Sequence, residues 1–208
     1  MIYATVLDNG VLMTAYLKSR GVSEVVLGCS RGFGALLGLG GTVVYPWIRQ
    51  HCDQRAHNSV NAIKTSGRAV ALAGVISIWC QWLVLAPLVV VLIVQWACGV
   101  SLTIPWAHAE LLPCALVVCV VLSRPWLWCF DLSISQLLQE FVVEGERATV
   151  AAVQGAVCQL FSVIIIVQGI FWSNPTDFVV LLVLSLVVVL TAACIFSKWC
   201  FVMRAPSL

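Results

Sequence analysis

Residues 178–197 read FVVLLVLSLVVVLTAACIFS, an unbroken apolar stretch without a charged side chain. A helix of about 20 apolar residues rises about 30 Å, the thickness of the hydrocarbon core of a bilayer. The whole chain has this character, because 62% of its 208 residues are hydrophobic, 10% are charged and the mean hydropathy is +1.04. Soluble domains carry about 45–50% apolar and about 25% charged residues. The composition therefore excludes an ordinary soluble domain and a disordered chain, and it predicts a polytopic membrane protein.

Six apolar segments predict an all-α membrane protein with six transmembrane helices. The predicted spans cover residues 2–17, 25–48, 69–100, 111–138, 149–172 and 178–201. The third is too long for a bilayer if it is straight, so we expect it to tilt, to kink near Pro87 or to project from the membrane. Because the first span begins almost at Met1, we expect a truncated chain or a fragment, with more helices upstream.

The distribution of basic residues predicts the orientation of the helices. The segment 49–68 contains Arg49, Arg55, Lys64 and Arg68, whereas 101–110 contains no Lys or Arg. By the positive-inside rule, 49–68, 139–147 and the C-terminus are predicted to be cytoplasmic. A formal net charge of +2 is too small to indicate a nucleic-acid partner.

The three histidines do not combine with other residues into a catalytic pattern, so no enzyme is expected. His51, Cys52 and Asp53, with His57 nearby, are zinc-ligand types at short spacing. The segment lacks a second pair of cysteines, and we favour a solvated loop over a zinc site.

Polar residues within the first two spans need partners or water in a bilayer. Asp8 and Asn9 interrupt the first span, where they either offer oxygen ligands to a cation or lie in a loop. Arg31 lies within the second span, and its side chain either extends to the membrane–water interface or lines a central cavity. The pairs Gly28/Gly32 and Gly34/Gly38 predict close packing against another helix.

The fourth span has a polar stripe. Asp131, Ser135 and Gln139 are four residues apart and share one helix face. Such a face either lines a substrate path or gate, or pairs with neighbouring helices. The charges of residues 144–147 are by themselves ordinary loop charges.

A block in the second half resembles a known family. The sequence FDLSISQLLQE at 130–140, EGER at 144–147 and the pair Val153-Gln154 are similar to the ferroportin (solute carrier family 40) iron exporters. LMTAYL at 12–17 is especially similar to the plant-type members. The resemblance covers essentially the whole chain. It implies the C-terminal six-helix half of a twelve-helix, major-facilitator-type bundle that exports Fe²⁺ by alternating access.

The resemblance also implies site residues. The metal ligands of this half correspond to the region of Asp8 and Asn9 and to a histidine on the fifth span, whose position here is Ile165. Isoleucine cannot coordinate a metal, so this position departs from the family pattern. Arg147 corresponds to an arginine that closes the cytoplasmic gate on acidic residues of the N-terminal half. The predicted gate or pathway residues are Arg31, Asp131, Gln136, Gln139, Glu140, Glu144, Glu146 and Arg147.

The expected partners are the lipid bilayer, Fe²⁺ as substrate and an N-terminal six-helix half in cis or in trans. No resident cofactor is expected. Hepcidin regulation is not expected either, because Asn9, Gly10 and Val11 occupy the region of the vertebrate hormone-binding cysteine. The family pattern favours the plasma membrane, with vacuolar and plastid membranes as alternatives. Alone, the chain is expected to transport poorly. The alternatives are a non-transporting or regulatory fragment, or a carrier of Co²⁺ or Ni²⁺, since the missing histidine weakens Fe²⁺ selectivity.

Overall fold

The structure, a computed structural model, describes residues 10–56, 62–98, 103–104, 109–172 and 178–204. Within these ranges the chain forms six helices, which confirms the all-α fold class. They are α1 (Val11–Ser19), α2 (Glu24–Ala56), α3 (Ala62–Cys98), α4 (Leu111–Phe141), α5 (Arg147–Phe171) and α6 (Phe178–Arg204). The helices α2 to α6 are each long and apolar enough to cross a membrane.

The helices extend beyond several of the predicted spans. In the segment 49–68, which was predicted to be a loop, α2 continues to Ala56 and α3 begins at Ala62. Helix formation needs backbone hydrogen bonds and not apolar side chains, so polar ends remain helical after the hydrocarbon has ended. Most of the predicted first span, residues 1–9, lies outside the described residues. In the segment 101–110, two short antiparallel strands pair, β1 (Thr103–Ile104) with β2 (Ala109–Glu110).

Three of the helices contain a proline within their length, namely Pro46 in α2, Pro87 in α3 and Pro125 in α4. Proline lacks an N–H, so each one removes a backbone hydrogen bond from its helix. Helix α3 nevertheless continues through Pro87, and its total length is 37 residues. This corresponds to about 55 Å of helix, which exceeds the hydrocarbon thickness of about 30 Å. Part of α3 must therefore tilt or project, as the length predicted.

A turn with a left-handed residue joins α1 to α2. Gly21 has a φ of +81°, a conformation that favours glycine. Across the turn, Lys18 Nζ lies 2.7 Å from Glu24 Oε1, and the hydrogen bond to this carboxylate raises the pKa of Lys18. Both side chains are largely exposed, so this ion pair orients the turn but contributes little stability.

Helices α2 and α4 cross in close contact. A Cβ added to Gly41 would lie 2.7 Å from the backbone oxygen of Pro125, and one added to Gly38 would lie 2.8 Å from Trp128 Nε1. Cys129 Sγ also donates to Gly41 O at 3.2 Å. The glycine prediction is therefore right at Gly38. Among the described residues, no atom lies within 4 Å of a Cβ added at Gly28 or Gly32, so close packing at that pair stays a prediction.

The buried side chains form clusters near both ends of the bundle. The larger cluster joins α1, α2, α3, α4 and α6 and contains Met13, Tyr16, Leu17, Leu27, Leu85, Leu88, Leu116, Val120, Phe178, Leu181 and Leu182. Near the predicted cytoplasmic end, Ala69 and Ala73 of α3 pack with Tyr45 and Ile48 of α2. Trp79 Nε1 of α3 donates to Ser197 Oγ of α6 at 3.0 Å, which joins these two helices with a polar contact.

Helix α5 differs from the other membrane-spanning helices because none of its residues is buried. The N-terminal end of α5 contacts the end of α4 through Arg147, whose Nε donates a hydrogen bond to Val142 O. Near its other end, Ile165 packs against the larger apolar cluster, and a Cβ on Gly169 would overlap the side chain of Leu12. Between these two attachments, a cleft separates α5 from α4.

The close crossing predicts that Gly41→Ala destabilises the bundle. The added methyl group would meet a backbone oxygen, which cannot rotate away, so α2 and α4 must separate. We expect the free energy of unfolding to fall by about 1–3 kcal/mol, the usual effect of overpacking. Thermal unfolding in detergent micelles, followed by tryptophan fluorescence, measures this.

Gly28→Ala is the matched control. It makes the same chemical change on the same helix, at a position where no atom lies within 4 Å of the new Cβ. It should leave the unfolding temperature unchanged or raise it slightly, because alanine favours helix more than glycine does. Equal destabilisation by the two variants would contradict the close α2–α4 contact.

Candidate functional site: a polar cleft between α4 and α5

A polar cavity lies in the cleft between α4 and α5. It has a volume of about 710 Å³. Helix α4 contributes Asp131, Ser135 and Gln139, and α5 contributes Arg147, Gln154 and Cys158. Small residues of α5 leave room for the cavity, namely Ala148, Ala151 and Gly155. The cleft thus combines an acid, a base, two amides, a hydroxyl and a thiol.

The polar stripe of α4 forms one wall of this cleft. Asp131, Ser135 and Gln139 all line it, as their spacing of four residues predicted. All three residues are exposed within this chain, so the wall is open on one side. Their role in a transport path stays a prediction.

Arg147 connects the start of α5 to the end of α4. Its Nε donates to Val142 O at 3.0 Å, and its Nη2 donates to Gln139 O at 2.7 Å. The last carbonyls of a helix lack partners within the helix, and a cation there also interacts favourably with the helix dipole. Within this chain, Arg147 therefore caps α4 and sets the direction in which α5 leaves.

The two acidic residues of the turn lie outside the cleft. Glu144 and Glu146 are exposed, and neither lines the cavity. Glu146 immediately precedes α5, and its backbone N–H donates to Val143 O at 2.9 Å. A carboxylate at this end of a helix is favoured by the helix dipole. Their predicted part in a gate stays a prediction.

Gln136 and Glu140 lie on a different face of α4, directed toward α2. Tyr45 Oη donates to Gln136 Oε1 at 2.8 Å, and Arg49 Nη2 lies 3.9 Å from Glu140 Oε1. These two predicted pathway residues do not line the cleft, and they instead join α4 to α2. Sequence reasoning missed Tyr45, although a phenol within an apolar span indicates a polar partner on a neighbouring helix.

Arg31 joins α1 to α2. Its Nη2 donates to Thr14 Oγ1 at 2.7 Å, and the same hydroxyl donates to Gly10 O at 2.9 Å. The side chain therefore holds the first turn of α1 and does not line the α4–α5 cleft.

Half of the implied metal site lies outside the described residues, because Asp8 and Asn9 belong to residues 1–9. The other position, Ile165, is half-buried against the larger apolar cluster. In the part of the chain that the structure describes, no group of three or more His, Cys, Asp or Glu residues is arranged around a metal position.

The zinc hypothesis finds no support in the structure. His51 lies against the ring of Trp47 at a centroid distance of 4.5 Å, whereas Cys52 is buried in the cluster with Tyr45 and Ala69. The two side chains thus serve different packing contacts. His57 lies outside the described residues.

Solved structures of two bacterial proteins share the fold of this chain. A bacterial metal transporter superposes with a TM-score of 0.66 at 23% identity, over 95% of this chain and 45% of the other. An inward-facing bacterial homologue of the iron transporter ferroportin superposes with a TM-score of 0.67 at 23% identity, over 96% of this chain and 42% of the other. The chain therefore shares its fold with part of each of these proteins, over less than half of their length.

The family follows from sequence. The family model described as Ferroportin1 (FPN1) matches residues 1–189, and the chain belongs to this family. Solute carrier family 40 member 1 of Oryza sativa subsp. japonica is 37% identical over 98% of this chain and 37% of its own length. Member 2 of Arabidopsis thaliana is 30% identical over 95% of this chain and 33% of its own length. Human ferroportin is 26% identical over 88% of this chain. The chain spans about a third of the length of these relatives.

The capping contacts predict the effect of Arg147→Ala on the α4–α5 turn. Without the guanidinium group, the carbonyls of Gln139 in α4 and of Val142 directly after it lose a charged donor, and the last turn of the helix opens more often. We expect hydrogen exchange of the amides of residues 141–146 to become about five- to tenfold faster, since one such bond contributes about 1–1.5 kcal/mol. Mass spectrometry of the micelle-solubilised chain measures this.

Two variants control for charge and for location. Arg147→Lys keeps the charge but cannot direct two donors with the fork geometry of a guanidinium group. Its exchange rates should therefore fall between those of the wild type and those of Arg147→Ala. Glu144→Gln changes an exposed charge in the same turn and should leave the rates unchanged. Wild-type exchange rates in Arg147→Ala would show that the guanidinium group does not hold the turn.

Proposed function

We propose that this chain forms one half of a transporter that exports divalent metal, with Fe²⁺ as its substrate, by alternating access between two six-helix halves. The observation that carries the proposal is the polar cleft between α4 and α5, with Asp131 inside a membrane-spanning helix of a ferroportin-family chain. A carboxylate within a bilayer needs a water-filled cavity or a protein partner. The cleft supplies a wall for such a cavity.

The second half of the bundle is proposed to cover α5. This helix has no buried residue, although it is long and apolar enough to span a membrane. The family relatives are about three times as long as this chain, which leaves room for an N-terminal half in cis or in trans. Arg147 would then bond acidic residues of that half, since a guanidinium group has five N–H donors and can serve both α4 and a partner.

The environment of Ile165 favours a second function. Its side chain packs among apolar residues and offers no ligand at the position where the resemblance implies a histidine. A chain with a weaker metal site would act as a carrier with different selectivity, such as for Co²⁺ or Ni²⁺, or as a non-transporting regulatory partner. Transport measured in proteoliposomes with each metal in turn distinguishes these functions.

The membrane is proposed to be the plasma membrane, which the family pattern favours, and the plant-type resemblance adds vacuolar and plastid membranes as alternatives. Regulation by hepcidin is not proposed, because Gly10 and Val11 stand in the region of the vertebrate hormone-binding cysteine.

Proteoliposomes test the proposed function. The chain is reconstituted alone or with the N-terminal half of the rice relative, and metal movement is followed with a trapped fluorophore that Fe²⁺ quenches. We expect transport with the partner half and little without it. Asp131→Asn should slow transport by at least about tenfold, because a carboxylate near a divalent ion in a partly desolvated cleft contributes several kcal/mol.

Asp53→Asn is the matched control, since it removes the same charge from an exposed position near the end of α2, away from the cleft. It should transport at the wild-type rate. Equal rates for Asp131→Asn and wild type would refute the proposed role of the cleft, and equal rates with and without the partner half would refute the two-half mechanism.

A further inference from the structure

A second cavity adjoins the polar cleft. It lies between α4, α5 and α6 and has a volume of about 480 Å³. Its walls are largely apolar and include Phe130, Ile134, Phe196 and Trp199. Asp131, Gln154 and Cys158 are the polar members of this lining, and the same three residues also line the polar cleft. They therefore lie at the boundary between a polar cavity and a largely apolar one.

These three side chains come from two helices that face each other across the cleft. Gln154 and Cys158 are four residues apart on α5 and share one helix face. Asp131 faces the same two cavities from α4. A carboxylate oxygen, an amide oxygen and a sulfur atom thus border the same two cavities from two facing helices.

This combination of donors selects a class of cation. A thiolate prefers borderline and soft ions such as Fe²⁺, Co²⁺, Zn²⁺ and Cd²⁺, whereas Mg²⁺ and Ca²⁺ prefer oxygen ligands alone. The aromatic wall beside Asp131 lowers the local dielectric constant, which strengthens the attraction between its carboxylate and a cation. When the ion binds, its bond to sulfur forms as the Cys158 thiol releases its proton to water in the cleft.

Arg147 does not occupy the space that Asp131, Gln154 and Cys158 border. Its guanidinium group is held at Gln139 O, eight residues along α4 from Asp131. Eight residues of helix correspond to about 12 Å, so this positive charge lies at the far end of the cleft.

We propose that Asp131, Gln154 and Cys158 bind a borderline divalent cation as a transient station on the transport path. Cys158 lies two helical turns from Ile165 on the same side of α5, so the thiol supplies a sulfur ligand in a half that lacks the histidine implied by the resemblance. Three protein ligands leave positions for water, which suits an ion that must also leave. The identity of the cation as cargo rests on the proposed function, but its binding does not require transport.

Cobalt is the probe, because a Co²⁺–thiolate bond absorbs near-ultraviolet light. The purified full chain in micelles, with its thiols reduced, is titrated with Co²⁺ under inert gas. We expect a saturable charge-transfer band that Zn²⁺ and Fe²⁺ displace and Mg²⁺ does not. Cys158→Ser should abolish the band, and Asp131→Asn should weaken Co²⁺ binding about tenfold or more.

Cys194→Ser is the control, since it removes an exposed thiol of α6 that lines neither cavity, and it should keep the band. No band in the wild-type chain, an unchanged band in Cys158→Ser, or equal displacement by Mg²⁺ would each overturn the proposal. A band that disappears in Cys158→Ser, in a chain that fails to transport with its partner half, would support the cation site and contradict the proposed function.

Discussion

Hydrocarbon cannot hydrate the Asp131 carboxylate, and the arrangement of α4 and α5 follows from that constraint. The residue lies on a helix long and apolar enough to cross a membrane, yet it is exposed within this chain. Its face must therefore be turned toward water or protein. The same face carries Ser135 and Gln139, and the small residues of α5 opposite them keep the cleft open. This single charge thus restricts which face of α4 can meet lipid.

Arg147 connects that cleft to the geometry of the backbone. By donating to Gln139 O in α4 and to Val142 O directly after it, Arg147 stabilises a helix end and orients the next helix with the same side chain. In a two-half transporter, a bond from this residue to a partner carboxylate would share the guanidinium group with the α4 cap. A gate closed in this way would couple the contact between the halves to the angle between α4 and α5.

The opposite face of α4 shows why a pattern along one helix does not identify a pathway. Gln136 and Glu140 belong to the same family-like block as Asp131, and all were predicted to line a path or gate. The structure directs Gln136 to Tyr45 and Glu140 toward Arg49, so these residues join helices. One residue further along a helix turns the side chain by about 100°, which is enough to move it from a cavity to a packed interface.

The sequence by itself determined that this is a helical membrane protein, which apolar stretches form its long helices, that Asp131, Ser135 and Gln139 share a face, and to which family it belongs. These properties depend on local composition, on the helical period and on short motifs, all of which are readable along the chain. Only the tertiary structure decided that Gly41 meets another helix, that Arg147 caps α4, and that Cys158 lies across a cavity from Asp131. Those contacts depend on which faces of separate helices meet, and the period of one helix contains no information about its neighbour's rotation or depth.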